Sequence, residues 1–257
     1  MKKILLTFVV ALMTVTAINA QVLGTTEWNK TLFTVANVAD ATDGVMAIDD
    51  NGNLFVSGAL TTTATFGSFS VEPIGVASYI VKYNATGQEQ WATAIQGAAT
   101  IVAMDTDAAG NLYVAGQFAD EIYVCNATNE DYISLTSSNS SDKTAAFIAK
   151  YDADGALIGA QACEATIDPE VDASFMYFGN NPQVLIKNIE VEGDNLYLSF
   201  TYNGDVTLGG YTLDAKYVFN SMGFGDYLDA TSGAIIALNN STFAPTALVA
   251  NVSLMDG

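Results

Sequence analysis

Asp152-Ala153-Asp154-Gly155 has the acid-x-acid-Gly spacing that opens a calcium loop. Carboxylates at alternate positions can converge on a hard cation, and the glycine permits a sharp turn. Downstream of Gly155, however, no acid stands where a bidentate ligand is needed, and the matching turns that begin at Asn84 and Asn239 carry no acidic pair. A hairpin turn accounts better for the four residues, and no metal site is expected.

Other chemistries are narrowed by residues the chain lacks. It has 257 residues with no His and no Arg. That removes Ser-His-Asp triads, Cys-His dyads and His-ligated zinc. Cys125 and Cys163 are too few for a tetrathiolate, and no glycine-rich phosphate loop ending in Lys occurs. Paired carboxylates for glycoside hydrolysis need only two acids at a suitable separation, and 28 acidic residues leave that route open. The expectation is therefore no enzyme and no cofactor, with a carbohydrate-active enzyme as the alternative.

Charge bears on partners. Lys+Arg total 8 against 28 Asp+Glu, a formal net charge of −20. Such a surface repels a phosphate backbone, so nucleic acid is not an expected partner, and anionic lipid is equally disfavoured. Residues 1–20 read as a secretory signal: Lys2 and Lys3, an apolar run over 4–15, then Ile18-Asn19-Ala20 before Gln21. The run is too short for an ordinary membrane span, so no membrane insertion is expected after cleavage. The expected location is secreted, periplasmic or cell-surface, with a signal of Gram-negative style. A disulfide is permitted there, but the repeat alignment places Cys125 and Cys163 on strands two apart, roughly 9–10 Å from each other, beyond the reach of a bridge.

The elements that would position any site come in repeats. Leu-(Phe/Tyr)-(Val/Leu)-(Ser/Ala) occurs at Leu54, Leu112 and Leu196, each time after a short polar turn. Internal repeats of this kind mark an array of one supersecondary unit. Each copy parses into four strands: 45–49, 54–60, 79–83 and 90–95; 101–105, 112–118, 147–151 and 157–163; 186–191, 196–202, 234–238 and 244–250. Asn, Asp and Gly fill the turns, as tight hairpins require. Strands two and three are apolar along their length, which predicts cover on both faces. Pro245 marks strand four as an exposed outer edge. Small four-stranded sheets stacked about an axis make a β-propeller.

Asp49-Asp50-Asn51-Gly52-Asn53-Leu54-Phe55-Val56-Ser57-Gly58, followed by Tyr79-Ile80-Val81-Lys82-Tyr83-Asn84-Ala85-Thr86-Gly87, resembles the bacterial β-propeller repeat called SBBP. The second copy resembles it equally. The third has Phe200 in place of the final Gly, and Ala237-Leu238 in place of Lys-Tyr. The resemblance implies an extracytoplasmic β-propeller and carries over no catalytic residue.

The expected fold is thus all-β: about three antiparallel blades (45–96, 101–163 and 186–250) in an incomplete ring. Within the repeat region 21–257, residues 26–33 stand as a lone outer strand, since Glu27-Trp28-Asn29-Lys30-Thr31-Leu32 aligns with Gln90-Trp91-Ala92-Thr93-Ala94-Ile95. Three blades rarely close a ring. The chain is therefore expected to be a C-terminally truncated fragment, or else a short natural protein whose N-terminal strand pairs elsewhere.

Variable connections on a rigid scaffold are where binding usually lives. Those between strands two and three, and between copies two and three, hold Tyr132, Phe175, Tyr177, Phe178, Tyr217, Phe219, Phe224 and Tyr227. Rings beside Asn, Asp and Gly suit sugar stacking or a protein anchor, or they plug the loops onto the sheets. A secreted, non-enzymatic binding or scaffold module for a protein or glycan is the expected function, with a structural spacer of a larger surface protein as a further alternative.

Overall fold

The structure, a computed structural model, describes residues 34–35, 44–128, 130–137, 145–166, 182–214, 218–219, 226–227 and 232–253. Every regular element among them is a β-strand. β1 (Thr34–Val35) precedes the first repeat. That repeat runs β2 (Met46–Ile48), β3 (Leu54–Leu60), β4 (Ala64–Phe66), β5 (Phe69–Val71), β6 (Ala77–Tyr83) and β7 (Glu89–Gln96). The second runs β8 (Ala99–Thr106), β9 (Leu112–Phe118), β10 (Glu121–Cys125), β11 (Tyr132–Thr136), β12 (Ala145–Tyr151) and β13 (Leu157–Thr166). The third opens with β14 (Gln183–Glu192), β15 (Asn195–Asn203), β16 (Asp205–Leu208) and β17 (Tyr211–Leu213). It continues with β18 (Val218–Phe219), β19 (Asp226–Tyr227), β20 (Ser232–Asn239) and β21 (Pro245–Ser253).

Each repeat forms an antiparallel meander: β2-β3-β6-β7, β8-β9-β12-β13 and β14-β15-β20-β21. Strand four is not an exposed edge in the first two. The connection between strands two and three holds a hairpin that joins the preceding repeat's outer strand. Thus β10 pairs with β7, setting Tyr123 against Gln96, and β16 pairs with β13, setting Thr207 against Glu164. Both sheets therefore have six strands. In the same way β4 pairs with β1, setting Thr65 against Thr34. The cause is local: Ala64-Thr65-Phe66-Gly67-Ser68-Phe69-Ser70-Val71 and Val206-Thr207-Leu208-Gly209-Gly210-Tyr211-Thr212-Leu213 alternate apolar and polar residues around a glycine turn. Gly67 stands at φ 59, and Gly209 and Gly210 at φ 54 and 82, the left-handed values that two-residue hairpins need. β1 takes the place an outer strand of a preceding repeat would take, although residues 26–33, expected to form that strand, lie outside the described residues.

The core lies between sheets. On β9, Leu112 and Val114 enter a cluster with Phe55, Ile80 and Trp91 of the first repeat. Tyr113 and Ala115 enter another with Leu196, Leu198 and Phe200 of the third. The middle sheet is covered on both faces, which is why its strands read apolar without alternation. Burying a side chain such as Phe147 stabilises the fold by about 1.5–3 kcal/mol, and it is wholly buried.

Register explains the irregular third copy. Gly58 faces Tyr79 and Gly116 faces Phe147, whereas Phe200 faces Ala234. A Cβ on Gly58 would come within 2.8 Å of the Tyr79 ring, and one on Gly116 within 2.8 Å of Phe147. In the third copy the large residue has moved to strand two and the small one to strand three, so the pair still fills one space.

Cys125 ends β10 in the first sheet and Cys163 lies on β13 in the second. The assignment of both to one four-stranded unit is thereby corrected: β10 joins the preceding sheet. Both are buried free thiols. Burial raises the Cys163 pKa to about 12 and shifts Cys125 upward as well.

Candidate functional site

The polar turns are built by their carboxylates. Asp49 Oδ1 accepts the N–H groups of Asn51 and Asn53 at 2.9 Å, and Asp107 Oδ1 accepts those of Ala109 and Asn111 at 3.0 Å. Asp152 does the same for Asp154 at 2.9 Å and Ala156 at 2.8 Å. The acid pair singled out as a possible calcium loop thus spends its first carboxylate on the backbone of a hairpin turn, while Asp154 is exposed.

Two lysines join neighbouring repeats. Lys82 passes over the Phe55 ring, 5.2 Å from its centroid, and donates to the Ala153 carbonyl at 2.7 Å. Lys150 passes over the Tyr113 ring at 4.8 Å and donates to the Asn240 carbonyl at 3.3 Å. An ammonium held over an electron-rich ring and bonded to a carbonyl is stabilised at both contacts. The third copy has Ala237 at this position, opposite Tyr197. Beside Lys150, Asp107 Oδ2 lies 3.9 Å from the ammonium. Burial pushes the Asp107 carboxyl pKa up, but hydrogen bonds from Asn111, Tyr113 and Ala109 outweigh that and hold it below the ordinary value. Burial first, then the charge of Asp107, raises the Tyr113 hydroxyl.

An exposed aromatic platform lies on the β10–β11 hairpin. The rings of Tyr123 and Tyr132 meet edge to face at 5.2 Å, and Tyr132 is 59% exposed. Glu121 organises their surroundings. Its carboxylate accepts the hydroxyls of Tyr123 and Ser134, each at 2.7 Å. The Ser134 bond and then the Tyr123 bond lower the Glu121 pKa, and the same carboxylate raises that of Tyr123. Tyr132 is therefore on a strand, opposite Cys125, rather than in the loop expected for it.

Of the other expected aromatics, Phe219 lies on β18 opposite Asp226, and Tyr227 on β19 opposite Val218. Phe175, Tyr177, Phe178, Tyr217 and Phe224 lie outside the described residues, as does the signal-like segment 1–20. Sequence reading missed Tyr123 and Glu121. The available signal was the alternation Glu121-Ile122-Tyr123-Val124, which exposes every second residue once the segment is read as a strand.

No protein-family model matches the chain, and no curated protein matches it.

Proposed function

We propose that this chain is a secreted, non-enzymatic binding or scaffold module, a β-propeller-like array of the SBBP type whose sheets are its blades. The exposed Tyr123–Tyr132 platform, fixed at its edge by Glu121 and Ser134, is the observation that carries the binding role. An exposed tyrosine face takes the apolar face of a sugar ring or a protein anchor, and neighbouring carboxylate and hydroxyl oxygens take its hydrogen bonds. Sheets that shield one another give such a hairpin a rigid base. The export signal and the acidic surface favour an extracytoplasmic protein or glycan over nucleic acid.

Glycan arrays and pull-downs with the folded chain test this. Tyr132→Ala is expected to remove the captured glycan or protein while leaving the melting temperature within a few degrees, since the side chain is largely exposed. Capture of the same ligand at undiminished affinity would eliminate the platform.

A further inference from the structure

The two junctions between repeats share a lysine bonded to a turn carbonyl and differ in the residue that faces the lysine. At the first, Lys82 faces Trp91 across β6 and β7; at the second, Lys150 faces Gly159 across β12 and β13. The Trp91 indole donates Nε1–H to the Ala153 carbonyl at 3.2 Å, so that carbonyl takes both the indole and Lys82. Its counterpart, the Asn240 carbonyl, takes Lys150 alone among the described donors. Gly159 supplies no ring, and a cavity of about 300 Å³ opens there. Phe243 covers part of its floor, its ring 3.7 Å from where a Gly159 Cβ would stand.

We infer that this cavity is a binding site for an electron-rich aromatic ring carrying an N–H donor, with indole as the simplest member of the class. The volume lies at the lower end of small-ligand pockets. Apolar walls come from Phe243 and Ala160, and Ile158 at the mouth is 54% exposed. The Lys150 ammonium offers the ring a cation, and the Asn240 carbonyl has an acceptor position for the N–H. Gln161, Ser241 and Thr242 supply further polar contacts at the rim. The ring would stand against Phe243, the ring this junction carries where the neighbouring one has Gly155. The platform's rings stand on β10 and β11, whereas the cavity is lined by β13 and the 241–243 turn. The site is independent of the proposed function.

Titration of the full chain with indole, read by amide chemical shifts, tests the inference. Saturable shifts centred on Lys150, Gly159 and the 241–243 turn are expected. 1-Methylindole, which lacks the N–H, should bind about tenfold more weakly. Gly159→Trp should abolish binding and raise the melting temperature by filling the slot from within. Should that variant fail to fold, Gly159→Ala, whose methyl has room, is expected to weaken binding several-fold. N-acetyltryptophanamide separates the two sources of the ring: binding at indole-like affinity marks a partner's tryptophan side chain, and binding of indole alone marks a free small molecule. Shifts that scatter over the surface without saturating, equal affinity for 1-methylindole, or full indole affinity in the Gly159 variants would each overturn the site.

Discussion

Trp91 and Gly155 form a large–small pair across the first junction, and Gly159 and Phe243 form the same pair reversed across the second. A Cβ on Gly155 would stand 2.9 Å from the Trp91 ring and 2.6 Å from the Ala127 methyl, whereas one on Gly159 would stand 3.7 Å from Phe243. Gly155 also holds φ 87, and Phe243 holds φ 56 at the turn position corresponding to Gly87 and Gly155. The chain accepts left-handed strain in a non-glycine residue there because the ring it places is buried in the junction.

Gly155→Ala combines backbone strain with overpacking and is expected to cost about 2–4 kcal/mol. Gly193→Ala separates the two causes: its φ is 57 but nothing lies within 4 Å of an added Cβ, so it should cost about 1 kcal/mol. Gly159→Ala should be close to neutral. Urea denaturation of the three variants checks the order. Equal losses at positions 155 and 193 would show that the Trp91 contact contributes nothing.

Asp107 makes the second junction acid-sensitive. Its pKa in the folded chain is lowered from the ordinary 3.8. The stability linked to that shift is fully present above the unfolded value and is lost as pH falls through the folded one. Asp107→Asn should therefore lower the melting temperature near neutral pH, and the gap from wild type should shrink as pH falls below the ordinary 3.8. A gap independent of pH would mean that the side chain acts through shape rather than charge.

The strands carrying the repeated motif were legible from sequence because both of their faces are covered. β3 and β9 run over the expected 54–60 and 112–118, since apolar residues without alternation leave few other readings. The added hairpins were not legible in the same way. Their strands are three to five residues long and pair with the preceding repeat, a partner fixed by tertiary contact rather than by local pattern. The exchange of Gly116–Phe147 for Phe200–Ala234 reads in sequence as two separate departures; only the register shows that one compensates the other. Tyr132 was legible as a ring available for binding, but its partners Tyr123 and Glu121 emerge only when the segment is folded as a hairpin.

That compensation predicts non-additivity. Phe200→Gly alone should leave a cavity and cost about 3–5 kcal/mol, and Ala234→Phe alone should overpack the same space by about 1–3 kcal/mol. Together they recreate the arrangement of Gly116 and Phe147, so the double variant should be more stable than the sum of the two losses by about 1–3 kcal/mol. Chemical denaturation of the full cycle measures this coupling. A coupling near zero would show that the two positions do not share a space.

The Tyr151 hydroxyl offers the converse case, a group whose removal should help. Tyr151 is wholly buried, its ring centroid lies 6.1 Å from that of Trp91, and its hydroxyl has no hydrogen-bond partner among the described residues. Burial, and secondarily the nearby Cys125, pushes its pKa far up, so the group stays protonated and carries a donor into apolar surroundings. An unmet buried hydroxyl costs about 1–3 kcal/mol, whereas the ring itself packs in the core shared with Trp91 and Leu112. Tyr151→Phe keeps the ring and deletes the cost, so stability should rise by about 1 kcal/mol. Tyr83→Phe is the informative contrast, because the Tyr83 hydroxyl feels the charge of Glu89 and its substitution should not stabilise. Melting temperatures of the two variants decide the matter: a loss of stability in Tyr151→Phe would mean that the hydroxyl has a partner worth keeping.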